Sequence, residues 1–207
     1  MDAPTSIPFE DTSRPFFERL GATASQAFSD PVGLFSRVGG TDIGPPLVYG
    51  VLIGIVGWGF GAVWQLVFGN ILSVLEPEGA AEAMFLNTGM VLLLTLFSPL
   101  LVTIGLFISA GIYHLMLLIV GDGSRGFAVT FRAVAYGSTP NLLGIVPFCG
   151  GIVGGIWSIV VTIIGAKTAH GTDTLRAILA YFIPLLACCG LLALAFSMAG
   201  FLAAFMD

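Results

Sequence analysis

The chain has 207 residues, of which 57% are hydrophobic and 9% charged, with a formal net charge of −5. A soluble domain carries about one-quarter charged residues, so this composition excludes an ordinary water-soluble fold and identifies a membrane protein. The acidic balance also excludes nucleic acid as an expected partner.

Charges recur through the first forty residues, with no compact apolar run and small-residue cleavage site, so this segment is expected to remain in the mature protein. Within it, "RPFFERLGATASQAFSDPVGLFSRV" (Arg14 to Val38) places Phe16, Phe17, Leu20, Ala24, Ala27 and Phe28 at helical spacing. Asp30-Pro31 then supplies an N-cap and a first helical proline for a second short helix presenting Leu34, Phe35 and Val38. Such a head lies either on the membrane surface or against the ends of the chain's own spans.

Spanning the hydrocarbon layer takes about 20 apolar residues in a helix. Four tracts offer that: Pro45 to Leu75, Ala133 to Ala166 and Ala177 to Met206 hold no ionisable residue, and Ala83 to Val120 holds only His114. The first span is expected over about 46–72, where Gly50, Gly54, Gly57 and Gly61 form a smooth seam. Bilayer helices approach one another through such residues, and the partner is another helix of the chain or a second copy. A second long span, about 92–120, is expected to kink near Pro99, which cannot bond the carbonyl of Thr95, with residues 83–91 at the outer interface.

From Phe127 to Gly165 a single helix would be about 58 Å long, too long for one crossing. Pro147-Phe148-Cys149-Gly150-Gly151 therefore divides it into spans of about 127–146 and 150–166, the proline stopping one helix and the glycines supplying the reversal. Gly150, Gly151, Gly154 and Gly155 give a second flat patch, with Gly151 and Gly155 in the small-xxx-small relation, and the fifth span covers about 176–204.

Five crossings put Arg14, Arg19, Arg37, Arg125, Arg132, Lys167 and Arg176 on one side, and Glu76, Glu78, Glu82 and Asp207 on the other. Short loops holding Lys and Arg stay in the cytoplasm, which places the N-terminus inside and the C-terminus outside. The predicted fold is all-α: a polytopic membrane bundle of five transmembrane helices over 45–207, preceded by a short amphipathic cytoplasmic segment over 1–44.

Ionisable groups at membrane depth mark functional candidates. His114 and Arg132, with Tyr136 and Asn141, are read as a polar pocket between the second and third spans, against the alternative that His114 bonds a neighbouring helix and Arg132 snorkels to the surface. Two histidines 56 positions apart and no paired intramembrane carboxylates offer neither a metal site nor an acid/base pair. No phosphate loop or nucleophile elbow appears. Cys149 is expected to face outward, with Cys188 and Cys189 mid-span, so no disulfide framework follows. No catalysis, metal or cofactor is expected.

The segments "PVGLFSRV" (31–38), "FRAVAYGSTPNLLGIVPFCGG" (131–151) and "IIGAKTAHGTDTLRAILAYFIP" (163–184) resemble bacterial members of the Yip family. In eukaryotes that family comprises five-span proteins that interact with Rab-type GTPases in vesicle traffic. The resemblance implies the topology that charge counting gives. Eukaryotic members carry an Asp-Leu-Tyr-Gly-Pro motif before the first span, which "DIGPPL" (Asp42 to Leu47) echoes without the aromatic residue, so GTPase binding is not carried over. The expected function is a non-enzymatic adaptor or organiser in a bacterial inner membrane, binding protein or lipid at its cytoplasmic face. The alternative is a small transporter or channel using the pocket between spans two and three.

The topology predicts that an impermeant thiol reagent added outside labels Cys149 and cysteines introduced at Glu78 or Asp207, and spares cysteines at Gly123 or Thr172. Strong external labelling at Gly123 would overturn the five-span count.

Overall fold

Prolines and glycines set where the helices begin and stop. The structure, a computed structural model, describes residues 6–73 and 80–204, with side chains at 6–69, 85–194 and 196–198. Glu76, Glu78 and Asp207, and the side chain of Glu82, lie outside the described residues. After a 3-10 turn at Pro8–Glu10 come α1 (Phe16–Ser29), α2 (Pro31–Phe35), α3 (Gly44–Ser73), α4 (Ala80–Leu96), α5 (Ser98–Ile119) and α6 (Phe127–Gly137). A 3-10 stretch at Thr139–Ile145 leads to α7 (Gly150–His170) and α8 (Thr174–Ala204). Asp30 caps α2, its carboxylate accepting from the Gly33 N–H at 2.9 Å, while Pro31, Pro99 and Pro140 sit in first turns, where a missing N–H breaks no helical bond. Gly171, at φ 70°, closes α7 in the left-handed region, its N–H donating to the Lys167 carbonyl.

Among the described residues there is no strand, and four helices are long and apolar enough to cross a membrane: Gly44–Gly69, Ser98–Ile119, Gly150–His170 and Thr174–Met198. The stretch expected as a third span is α6 plus the 3-10 stretch. Eleven α-helical and seven 3-10 residues together reach about 30 Å, the thickness of the hydrocarbon layer. This unit occupies the centre: Val129 to Ala133 and Ala135 to Gly137 are buried, and α3, α5 and α7 pack around it. α8 lies against α5 and α7. The chain is an all-α membrane bundle, and Ile104, Ile108, Ile112, Leu115 and Ile119 form an exposed row along α5 that hydrocarbon solvates without penalty.

α3 runs antiparallel to α4 and α5, because Gly50 lies opposite Leu106, Gly54 opposite Val102 and Gly69 opposite Asn87. Phe97 interrupts the helix at φ −87°, ψ 1°, yet the Leu101 N–H still donates to its carbonyl at 3.0 Å, so α4 continues into α5 through a break at Phe97, two residues before Pro99, rather than reversing. Of the seam glycines, Gly50, Gly54 and Gly57 meet Leu106 and Ala135, Val102, and the Asn141 carbonyl, whereas Gly61, Gly151 and Gly155 have nothing within 4 Å of a would-be Cβ. In α7 the close approach falls instead to Gly150 and Gly154, which face the carbonyls of Leu143 and Pro140. The reversal before α7 also differs from expectation. Phe148, not a glycine, adopts the left-handed φ of 64°, and Gly150 and Gly151 already belong to the helix. Glycine is placed there for contact with the preceding 3-10 carbonyls rather than for backbone freedom.

The head packs on the bundle. Ile7, Phe9, Leu34, Phe35 and Val38 are buried in one cluster with Tyr49, Tyr136 and Val161, and the Phe35 ring lies on Gly165, where a Cβ would come within 2.8 Å. Leu34, Phe35 and Val38 thus face the chain's own spans, not a membrane surface. Phe17 departs from the apolar face expected of α1 and is 81% exposed.

A leucine at position 54 would collide with Val102, so Gly54→Leu is expected to lower stability in detergent by about 1–3 kcal/mol. Gly61→Leu, entering open space, should leave the melting temperature within a few degrees of the parent. Equal melting for the two variants would show that the seam does not set the α3–α5 distance.

Candidate functional site

An arginine in the middle of a buried helix needs acceptors around its guanidinium, because burying an unpaired charge is prohibitive. Arg132, on α6, is 2% exposed. Its Nε donates to Glu10 Oε1 at 2.8 Å, Nη1 to the Gly40 carbonyl at 3.1 Å and Nη2 to the Asp42 carbonyl at 2.6 Å. One turn on, the Tyr136 hydroxyl donates to the same Glu10 oxygen at 2.9 Å. Gly40 presents its carbonyl from a φ of 75°, a conformation that favours glycine. Beneath this knot the Tyr136 ring lies 5.0 Å from that of Tyr49. The Thr139 hydroxyl donates to the Tyr136 carbonyl at 2.6 Å, which leaves Tyr49 as donor in its 2.8 Å bond to Thr139.

His114 is in a different cluster. Its Nδ1 lies 2.9 Å from Thr130 Oγ1, which lies 2.8 Å from His170 Nε2, and the two rings are 6.3 Å apart. Thr130 has a single proton, so it donates to one imidazole and accepts from the other, and the two tautomers are coupled. The histidines that sequence distance separates are therefore neighbours. Around them the loops are pinned: Arg125 donates to the carbonyls of Ala169 and Val38, and Asp122 accepts from Thr172 and from Arg176, the latter at 3.1 Å. The hydrogen bond from Thr172, and then Arg176, hold the Asp122 carboxyl below the usual carboxylate range.

Asn141 belongs to a third place. It lines a cavity of about 630 Å³ between α3, α5, the 3-10 stretch, α7 and α8, whose wall includes Gly54, Trp58 and Tyr181. The four residues expected to form one pocket are thus divided: Arg132 and Tyr136 face the head, His114 faces His170, and Asn141 faces the cavity. Arg132 does not snorkel. Glu10, the residue that holds it, has one sequence signal, a carboxylate directly after the apolar Ile7-Pro8-Phe9 and beside Asp11. Among the described residues no group of three or more His, Cys, Asp or Glu side chains is placed to hold a metal ion.

The family model described as the Yip1 domain matches residues 26–197, most of the chain. The chain belongs to the Yip family. No curated protein and no solved structure matches it. In this Yip protein the match begins at Gln26, inside α1, so Arg132 and Tyr136 lie within the Yip1 domain and Glu10 lies ahead of it. The central ion pair thus joins the family's domain to a segment outside the match.

Removing one partner of a buried pair leaves an uncompensated charge. Glu10→Ala is expected to destabilise this Yip protein by about 3–5 kcal/mol, and adding Arg132→Met should recover part of that loss, giving a favourable coupling in a double-mutant cycle. Additive losses would mean that the two side chains do not act together.

Proposed function

We propose that this Yip-family membrane protein is a non-enzymatic adaptor or organiser that docks a protein partner on the head end of its bundle. The observation that carries the reading is Phe17, 81% exposed beside the partly exposed Phe16 at the start of a helix whose Leu20, Ala24, Ala27 and Phe28 are buried or half-buried. Phe16 packs its ring 5.5 Å away, and the surrounding charges are mixed, Arg14 pairing with Asp11 and Glu18. An aromatic anchor within a polar rim of both signs suits a protein surface, whereas anionic lipid would favour an excess of free cations.

The proposal places the N-terminus and head end in the cytoplasm and the C-terminus outside, with five crossings of a bacterial inner membrane and the boundary between head and transmembrane domain near residue 44. Its support is the gathering of basic groups at one end, where Arg125 reaches Val38 and Ala169 and Arg176 reaches Asp122. Ile7 and Phe9 are buried in the core and Glu10 pairs with Arg132, so deleting the head would open the bundle. A transport reading draws on the cavity beside Asn141 rather than on His114 and Arg132.

A photo-crosslinking amino acid at position 17 is expected to give discrete protein adducts in native membranes, and one at the outward-facing Ile108 to give none. Phe17→Ser should abolish co-purification of the adduct partner with no change in melting temperature, and His114→Ala should retain it. If the partner stays bound to Phe17→Ser while solute flux in liposomes is lost when the cavity is filled by Gly105→Leu, the adaptor reading gives way to transport.

A further inference from the structure

Polar groups at membrane depth need partners, since hydrocarbon offers none. Most hydroxyls in the bundle find a backbone carbonyl: Thr95 donates to Val91 at 2.7 Å, Thr103 to Pro99 at 2.7 Å and Ser197 to Leu194 at 2.8 Å. On the cavity wall, Ser138 donates to Ala135 at 2.7 Å, Ser158 to Gly137 at 2.8 Å and Tyr113 to Ala177 at 3.1 Å. Four other groups on that wall behave differently. The side chains of Ser109, Asn141, Thr162 and Tyr181 line the cavity and make no hydrogen bond to any described residue, although Thr162 is only 5% exposed. They come from α5, the 3-10 stretch, α7 and α8, so four separate elements converge on one space.

The space has a side door. A second cavity of about 270 Å³ shares Ser109, Tyr113 and Tyr181 with the first and continues past Ala180 and Pro184 to Ile112 and Leu185, whose outer flanks are exposed between α5 and α8. Pro184, inside α8, has no N–H to donate to the carbonyl one turn back. Among the described residues, no Asp, Glu, Lys, Arg or His lines either cavity. A charged or zwitterionic headgroup brought here would be desolvated with nothing to pair it.

We propose that this cavity is a binding site for an uncharged, hydroxyl-bearing lipid of the monoacylglycerol class, its head among Ser109, Asn141, Thr162 and Tyr181 and its acyl chain leaving between α5 and α8. Hydroxyls donate and accept, which matches a wall of three hydroxyls and one amide. The volume of about 630 Å³ falls within the range of roughly 300–1,000 Å³ found for small-molecule sites. The site stands independently of whether the head docks a protein.

The probe is a monoacylglycerol dibrominated at the head-proximal end of its acyl chain, titrated into the full-length protein in phosphatidylcholine nanodiscs. Bromine quenches tryptophan on contact; Trp58 and Trp64 line the cavity, and Trp157, which does not, is replaced by Phe. Saturable quenching is expected, with dibrominated phosphatidylcholine of the same chain giving only a non-saturating decline. Gly105→Leu fills the cavity where a Cβ meets no atom within 4 Å, and should weaken the saturable phase at least tenfold. Gly111→Leu, equally open but off the cavity wall, should leave it intact. Ser109→Ala with Tyr181→Phe keeps the packing and removes two hydroxyls, so a loss of about tenfold is expected even if Gly105→Leu does not fold. Absence of a saturable phase, equal quenching by the phospholipid, or unchanged binding in the Ser109→Ala, Tyr181→Phe protein would each overturn the proposal.

Discussion

The guanidinium of Arg132 is the charge around which this bundle is arranged. It sits on the central helix at 2% exposure, and a buried cation without matched acceptors would not be tolerated. Three acceptors come from chain that precedes the first long helix: the Glu10 carboxylate and the carbonyls of Gly40 and Asp42. Satisfying one side chain on α6 therefore fixes both the N-terminal segment and the lead into α3. The pairing joins residues 122 positions apart, so the head adopts its place only with α6 already present.

α6 and its 3-10 continuation divide the interior into two unlike halves. On one side Arg132 and Tyr136 meet the head, and aromatic rings close the space, with Phe9 5.1 Å and Tyr136 5.0 Å from Tyr49. On the other, Ser138 and Asn141 face glycines of α3 and the loosely covered side toward α8, where the cavity opens. A central element with polar residues on both faces cannot be a lipid-facing span, and its short helical part reflects that. The 3-10 turns narrow it enough for the Pro140 and Leu143 carbonyls to touch α7 at Gly154 and Gly150.

Composition, charge-free tracts and the Pro-Gly punctuation carry most of the helix map, because hydrocarbon imposes one rule, length of apolar helix, that a sequence displays directly. Gly50, Gly54 and Gly57 were legible as contacts for the same reason. What sequence could not display was which polar residues meet. Glu10 with Arg132, and His114 with His170 through Thr130, are pairings across 122 and 56 positions that only the packing of α6 creates. Spacing along one helix put His114 and Arg132 at similar depth but carried no information on rotation, and they point to different neighbours. The glycines of the Cys149-Gly150-Gly151 turn misled for a related reason: glycine serves close contact as well as reversal, and Phe148 makes the reversal.

α8 is anchored near its beginning, where Ala177 and Ala180 are fully buried, whereas from Leu185 to Met198 the described side chains are exposed. Beyond Pro184 the helix is thus a lever whose tilt the bilayer sets more than the protein does. A thicker membrane would draw it upright and a thinner one would lay it over, at a cost of fractions of a kcal/mol per Å of mismatch. The gap between α5 and α8 is lined on α8 by Ala180, Tyr181, Pro184 and Leu185, so it lies at the junction where the helix passes from protein contact to hydrocarbon.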